Sequence, residues 1–185
     1  MNLEGREMAG LLELGKEELE NRLREFDRAV TLLYPGRSFR LVLVGGGAMV
    51  LLGCLARSTA DLDTLEVPRE LVTLMGKYDI SSRVTAYLDH FAYNLEDRLV
   101  ALDLGTTAVE CYAASLEDVV ASKLYSDRET DAHDIRRPEV LEALDWERLA
   151  EVATDMQGSM MNERRYEQFL HHYTEYRKEH VPCDA

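Results

Sequence analysis

Asp61 and Asp63 stand two residues apart in the run Asp-Leu-Asp-Thr-Leu-Glu-Val, whose alternation reads as a strand. Side chains at i and i+2 of a strand share a face, so both carboxylates point the same way. At a rise of ~3.3 Å per residue they sit roughly 7 Å apart at the backbone. That spacing suits two acids gripping one or two Mg²⁺ ions together with substrate phosphates and water. Without a cation, like charges on one strand face repel. Upstream, Gly45-Gly46-Gly47 closes a short apolar run. Glycines there let phosphates approach the backbone, and free N–H groups at a following helix start bind anions. Each feature has an ordinary explanation by itself. A glycine triplet is most often a tight turn, and an Asp-x-Asp pair is usually a solvated strand face. The order of glycines, helix, Arg57 and then Asp61 and Asp63 is more specific than any part.

A second constellation lies downstream in SLEDVVASKLYSDRETDAHDI. Ser115-x-x-Asp118 has the form of a helix N-terminus, and the helix from Leu116 is expected to run to about Asp127. On one helix Lys123, Asp127 and Asp134, spaced 4 and 7, share a face. Lys123 there pairs with nucleotide phosphates as a point charge. The alternative is an exposed helix with ion pairs worth only ~0.3–0.5 kcal/mol each.

These groups need elements to hold them. Leu19, Leu23, Phe26, Val30 and Leu33 draw one apolar stripe on a helix over Glu17–Tyr34, which Pro35-Gly36 ends. Phe39–Val44 reads as a buried strand and Ala48–Ala56 as a helix. Asp61–Val67 is the second strand, and Pro68 opens a further helix. Ser81–Glu96 shows only weak alternation and stays unassigned. Arg98–Leu104 is a strand, Gly105-Thr106-Thr107 a turn, and Ala108–Ala114 a return partner. Asp131–Ile135, Pro138–Leu144 and Trp146–Glu179 read as helices. Interleaved strands and helices make the fold class mixed α/β or α+β. One compact domain is expected, with an N-terminal helix in 1–37, a core in 38–137 and C-terminal helices in 138–185.

Composition and motifs exclude several classes. The chain has 185 residues with 35 acidic and 21 basic side chains, a formal charge of −14. A protein that coats nucleic acid through a basic face is excluded, though a local basic patch is not. The dinucleotide fingerprint fails because Val50 stands at the third glycine position, and no Gly-Lys-Ser/Thr tripeptide supports a P-loop. Cys54, Cys111 and Cys183 are odd in number and widely spaced, which points to reduced thiols in a cytoplasm. The N-terminus lacks an apolar signal region and no run spans a membrane. His171-His172 reads as solvated, and Tyr166, Phe169, Tyr173 and Tyr176 as packing residues rather than a stacking platform. Arg164-Arg165 could touch a nucleic acid or a partner.

The stretch VGGGAMVLLGCLARSTADLDTLEV resembles the core motif of the nucleotidyltransferase superfamily related to DNA polymerase β. Arg57, Thr59, Asp61, Leu62 and Asp63 are similar to the AbiEii-like branch, found in bacterial toxin–antitoxin and phage-defence systems. Lys123, Arg128, Asp131 and Asp134 resemble that branch's downstream pattern, and the resemblance covers roughly residues 39–137. It implies a small mixed sheet flanked by helices, with a helical C-terminal extension. It also implies an NTP substrate, a Mg²⁺ or Mn²⁺ cofactor and a third carboxylate on a later strand. Asp103 is the candidate there, with Glu110 its rival. The ordinary reading of Asp103 is the start of the turn at Gly105. Gly45, Gly46, Arg57, Thr59, Lys123 and Arg128 are then the phosphate-binding candidates, and Asp61, Asp63 and Asp103 the metal ligands. Implied partners are a cognate toxin or antitoxin and a locally docked RNA end, without an extended nucleic-acid surface or a membrane. Gly47 departs from the pattern, because a hydroxyl residue or alanine is often expected there. That departure leaves open a binding module that has lost catalysis.

Overall fold

The computed structural model describes residues 15–57, 59, 61–65, 68–81, 89–126, 128–159 and 162–181. Asp127, Cys183 and most of the weak segment after Ser81 lie outside them. The helix α1 (Lys16–Leu33) buries Leu19, Leu23, Phe26 and Val30, while Leu33 is 60% exposed. The stripe therefore ends one turn before the helix does.

Strand β1 (Phe39–Val44) passes directly into α2 (Gly45–Leu51), and β2 (Leu62–Thr64) returns beside β1. A 3₁₀ turn and the short α3 (Val72–Met75) lead to β3 (Ile80–Ser81). The hairpin follows as β4 (Val100–Ala101) and β5 (Val109–Ala113). Helices complete the chain: α4 (Leu116–Tyr125), α5 (Glu129–Asp134), α6 (Pro138–Ala143), α7 (Trp146–Asp155) and α8 (Glu163–His180). The expected helix over Trp146–Glu179 is thus two helices, separated by a 3₁₀ turn at Met156–Gly158.

The sheet runs β3-β2-β1-β5-β4 and is mixed. β1 is parallel to β5 and antiparallel to β2, while β2 is parallel to β3 and β5 antiparallel to β4. As the central strand, β1 is buried on both faces except at Arg40, which explains its nearly unbroken apolar run. The buried carboxylate of Asp27 on α1 fixes the hairpin turn. It accepts from the N–H groups of Thr107, Ala108 and Val109 at 3.1, 2.8 and 2.8 Å. Those donors would otherwise be buried unpaired, so the carboxylate helps hold β5 in register with β1.

Ser115 caps α4 as its sequence suggests, accepting from the Asp118 N–H at 3.1 Å. Asp118 is fully buried and takes both arms of Arg98 at 2.9 Å, which ties the start of β4 to α4. α4 packs against α2, α5, α7 and α8, so its C-terminal turn meets the helical third of the chain. No helix among the described residues is long and apolar enough to cross a membrane.

Candidate active site

The site forms where β1 ends and β2 begins. Antiparallel pairing sets Val44 opposite Asp63, so the turn at Gly45 faces that carboxylate. Gly45 has φ +65°, a conformation costly for any residue with a side chain, and a Cβ there would lie 3.5 Å from Asp63 Oδ2. Gly47 answers to packing instead. A Cβ on it would stand 3.0 Å from Leu62 Cδ2 and 3.2 Å from the Asp61 carbonyl, so the third glycine lets α2 lie close on β2. That accounts for its departure from the resembled pattern.

Asp61 is exposed and Asp63 half-buried. Burial pushes the Asp63 carboxyl above the usual aspartate range, and the Asp61 charge pushes it further. A Ser81 hydrogen bond and the charges of Arg128 and Lys123 only partly oppose this.

Lys123 is placed differently from the expectation. α4 stops at Tyr125 because Ser126 turns extended, so Lys123 and Asp134 belong to successive helices rather than to one helical face. Lys123 is 8% exposed and donates to Asp131 and, at 3.0 Å, to Asp134. Asp134 also takes a two-armed bond from Arg57 at 2.7 and 2.8 Å. Asp131 accepts from Arg128 Nε at 2.8 Å. Burial raises both carboxyls, but the surrounding cations outweigh it and hold both below the usual range. Lys123 and Arg57 therefore pin α4, α5 and the segment before β2 together. Arg128 is 78% exposed, and its terminal amino groups carry no hydrogen bond among the described residues.

Gly45, Gly46, Thr59, Asp61, Asp63 and Arg128 border one cavity of about 710 Å³, and Arg57 and Lys123 also reach it. Its other wall comes from His90, Tyr125, Arg165, Gln168 and His172. Sequence reasoning missed that wall. The Arg164-Arg165 pair hinted at a contact, but that Arg165 and His172 join this cavity is decided by the packing of α8 on α4.

The expected third acid does not join the pair. β4 runs antiparallel to β5, so Asp103 is carried to the sheet end away from Gly45, where it is exposed beside the Gly105 turn. Glu110 is exposed on β5 opposite Arg40. Neither borders the cavity. Among the described residues no group of three or more potential metal ligands occurs. Two carboxylates nevertheless fit Mg²⁺, which commonly takes one or two together with waters and substrate phosphates. The raised Asp63 beside Asp61 is the kind of only partly relieved negative charge a cation stabilises.

A mixed five-stranded sheet flanked by helices, with glycines at one strand end and an aspartate pair at the start of its neighbour, places the chain in the nucleotidyltransferase class. It belongs to the family described as nucleotidyltransferases of unknown function (DUF6036), whose model matches residues 21–180. No curated protein and no solved structure matches the chain.

Proposed function

We propose that the protein transfers a nucleotidyl group from an NTP to an acceptor hydroxyl, with Asp61 and Asp63 as ligands of Mg²⁺ or Mn²⁺. The observation that carries this reading is the desolvated Asp63 held beside Asp61 in the cavity that Gly45, Gly46 and Arg128 share. A divalent cation bound there supplies charge that neutralises the triphosphate and polarises the attacked phosphorus. The protein does the positioning. Gly45 and Gly46 leave room for phosphates against the backbone. Arg128 offers a planar, permanent cation to the charge that develops on departing pyrophosphate. Lys123 holds Asp131 and Asp134, Arg57 braces Asp134, and Asp131 in turn keeps Arg128 in place. The acceptor oxygen forms a bond to the α-phosphorus, the bond to pyrophosphate breaks, and the hydroxyl proton leaves to solvent.

The chain's charge of −14 argues against an extended grip on nucleic acid. It favours a small molecule, a protein, or a locally docked RNA end as acceptor. The likeness of Arg57, Thr59, Asp61 and Asp63 to the AbiEii-like pattern supports a cytoplasmic toxin–antitoxin or phage-defence role with a cognate protein partner.

Titration calorimetry with Mg-NTP tests the site. Asp61→Ala and Asp63→Ala are each expected to lose binding, and parent-like binding by both variants would overturn the assignment. Incubation with each labelled NTP, with and without a total RNA pool, then reads transfer. The lack of a third acid beside the pair among the described residues favours a second reading, an inactive binding module or antitoxin. Stoichiometric capture of a defined partner without any turnover would support that alternative.

A further inference from the structure

The second wall of the cavity has a chemistry unlike the first. Tyr125 stands at the end of α4, and Arg165 and His172 come from α8. Arg165 Nη1 donates to the Tyr125 hydroxyl at 3.1 Å, and its guanidinium lies 5.5 Å from the ring centroid. His90 packs edge-on against the same ring, with centroids 4.2 Å apart. His172 is held by a 2.9 Å hydrogen bond from Nδ1 to the Leu124 carbonyl. A carbonyl only accepts, so Nδ1 carries the proton. The Gln168 amide borders the same space.

The wall therefore consists of flat groups packed on one another, Arg165 over the Tyr125 ring and His90 edge-on against it, with polar atoms at their margins. A base needs flat surfaces to stack on and edge partners to fix its orientation. A phosphate needs converging cations. Here Arg165 already spends one arm on Tyr125, and Asp89 adds a carboxylate to the same lining. Phosphates have their own groups on the first wall, at Gly45, Gly46 and Arg128. A cavity of about 710 Å³ spans both walls, within the ~300–1,000 Å³ typical of small-molecule sites.

We propose that Tyr125, Arg165 and His90, with Gln168 and His172 at the margin, form the subsite for the nucleobase of the NTP. The subsite rests on the nucleotidyl-transfer reading and adds to it which residues recognise the nucleoside end. It makes affinity depend on the base, whereas the aspartate pair and Arg128 respond to the triphosphate alone.

Calorimetry on the full chain compares Mg-NTP with Mg-tripolyphosphate, which has neither sugar nor base. The parent is expected to bind at least one NTP roughly tenfold more tightly than tripolyphosphate, the scale of one stacking contact. Tyr125→Leu and Arg165→Ala are expected to remove most of that advantage, while tripolyphosphate affinity changes by less than about twofold. Tyr125→Phe keeps the ring and is expected to retain most of it. Arg165 is exposed, so its variant reports even if Tyr125→Leu folds poorly. Equal affinity of the parent for both ligands, or variants that weaken both alike, would overturn the base subsite and leave the transferase reading standing. Unchanged NTP affinity in both variants would also overturn it, and would reassign the wall to the acceptor. A parent that binds neither ligand would sink the transferase reading itself.

Discussion

Two pairs of aspartates lie close to the same cavity and are treated in opposite ways. Asp131 and Asp134 are buried among cations, with Lys123 between them, Arg57 on Asp134 and Arg128 on Asp131, and the Ser126 hydroxyl also donates to Asp131. Asp61 and Asp63 face each other's charge, with only a serine hydroxyl and more distant cations in relief. Burial opposes ionisation of Asp63 as it does of Asp131 and Asp134, so desolvation alone does not separate the two places. The partners do. One pair is complete within the chain and holds helices together, and the other calls for a positive charge from outside.

The largest expected effect probes the completed pair. Lys123→Ala leaves two buried carboxylates short of their shared cation and is expected to cost about 3–5 kcal/mol in urea unfolding. A loss under about 1 kcal/mol would mean that the arginines suffice and that Lys123 is available for phosphates after all.

The open pair is expected to behave in the reverse sense. Asp63→Asn should weaken Mg-NTP binding by at least about 100-fold, or ~2.7 kcal/mol. The same change should raise Tm by roughly 2 °C, because a charge disfavoured in the folded state is removed. A fall in Tm would show that the ionised Asp63 is satisfied within the fold.

Acid titration separates the pairs without mutation. The Asp63 carboxyl is raised in the fold, so it gains a proton above the ordinary aspartate range and cation affinity falls first. Asp131 and Asp134 are lowered. Their contribution is fully present above the unfolded aspartate value, near 3.8, and is lost as pH drops from there through their folded values. Mg²⁺ binding should therefore fade at a higher pH than the folded signal in circular dichroism. Simultaneous loss of both would break the comparison.

The smallest effect concerns Asp103. Placed at the far end of the sheet and exposed, Asp103→Asn is expected to change Mg-NTP affinity by less than about twofold and stability by less than ~0.5 kcal/mol. A large loss of binding would put Asp103 back among the ligands.

Much of the fold was legible because local signals agree with it. The run Phe39–Val44 is apolar apart from Arg40 and closed by Gly45-Gly46-Gly47, and it forms β1 with those limits. Ser115 caps α4 where the Ser-x-x-Asp pattern places it. The Gly105 turn returns a hairpin, although β4 is only two residues long. What local pattern could not give was partnership. The two-residue β3 is too short to show a period, and it exists because β2 lies beside it. Asp103 looked attractive because an acid in an apolar run invites a reason, but strand direction carried it away from the site. Lys123 and Asp134 looked like one helical face, yet the break at Ser126 makes them a contact between two helices.

The sequence by itself determined the pieces: an apolar central strand, glycines at its end, and two aspartates two residues apart, Asp63 within β2 and Asp61 just before it. Short-range physics suffices there, because strand alternation and the left-handed backbone at Gly45 are properties of neighbouring residues. Only the tertiary structure decided which charges are spent. Whether Lys123 faces a phosphate or Asp131 and Asp134, and whether Arg165 and His172 reach the cavity, depends on how α5 and α8 pack on α4. Electrostatic satisfaction is a matter of distance in space, and residues 57, 123, 131 and 165 become neighbours of one cavity only after the chain has folded around it.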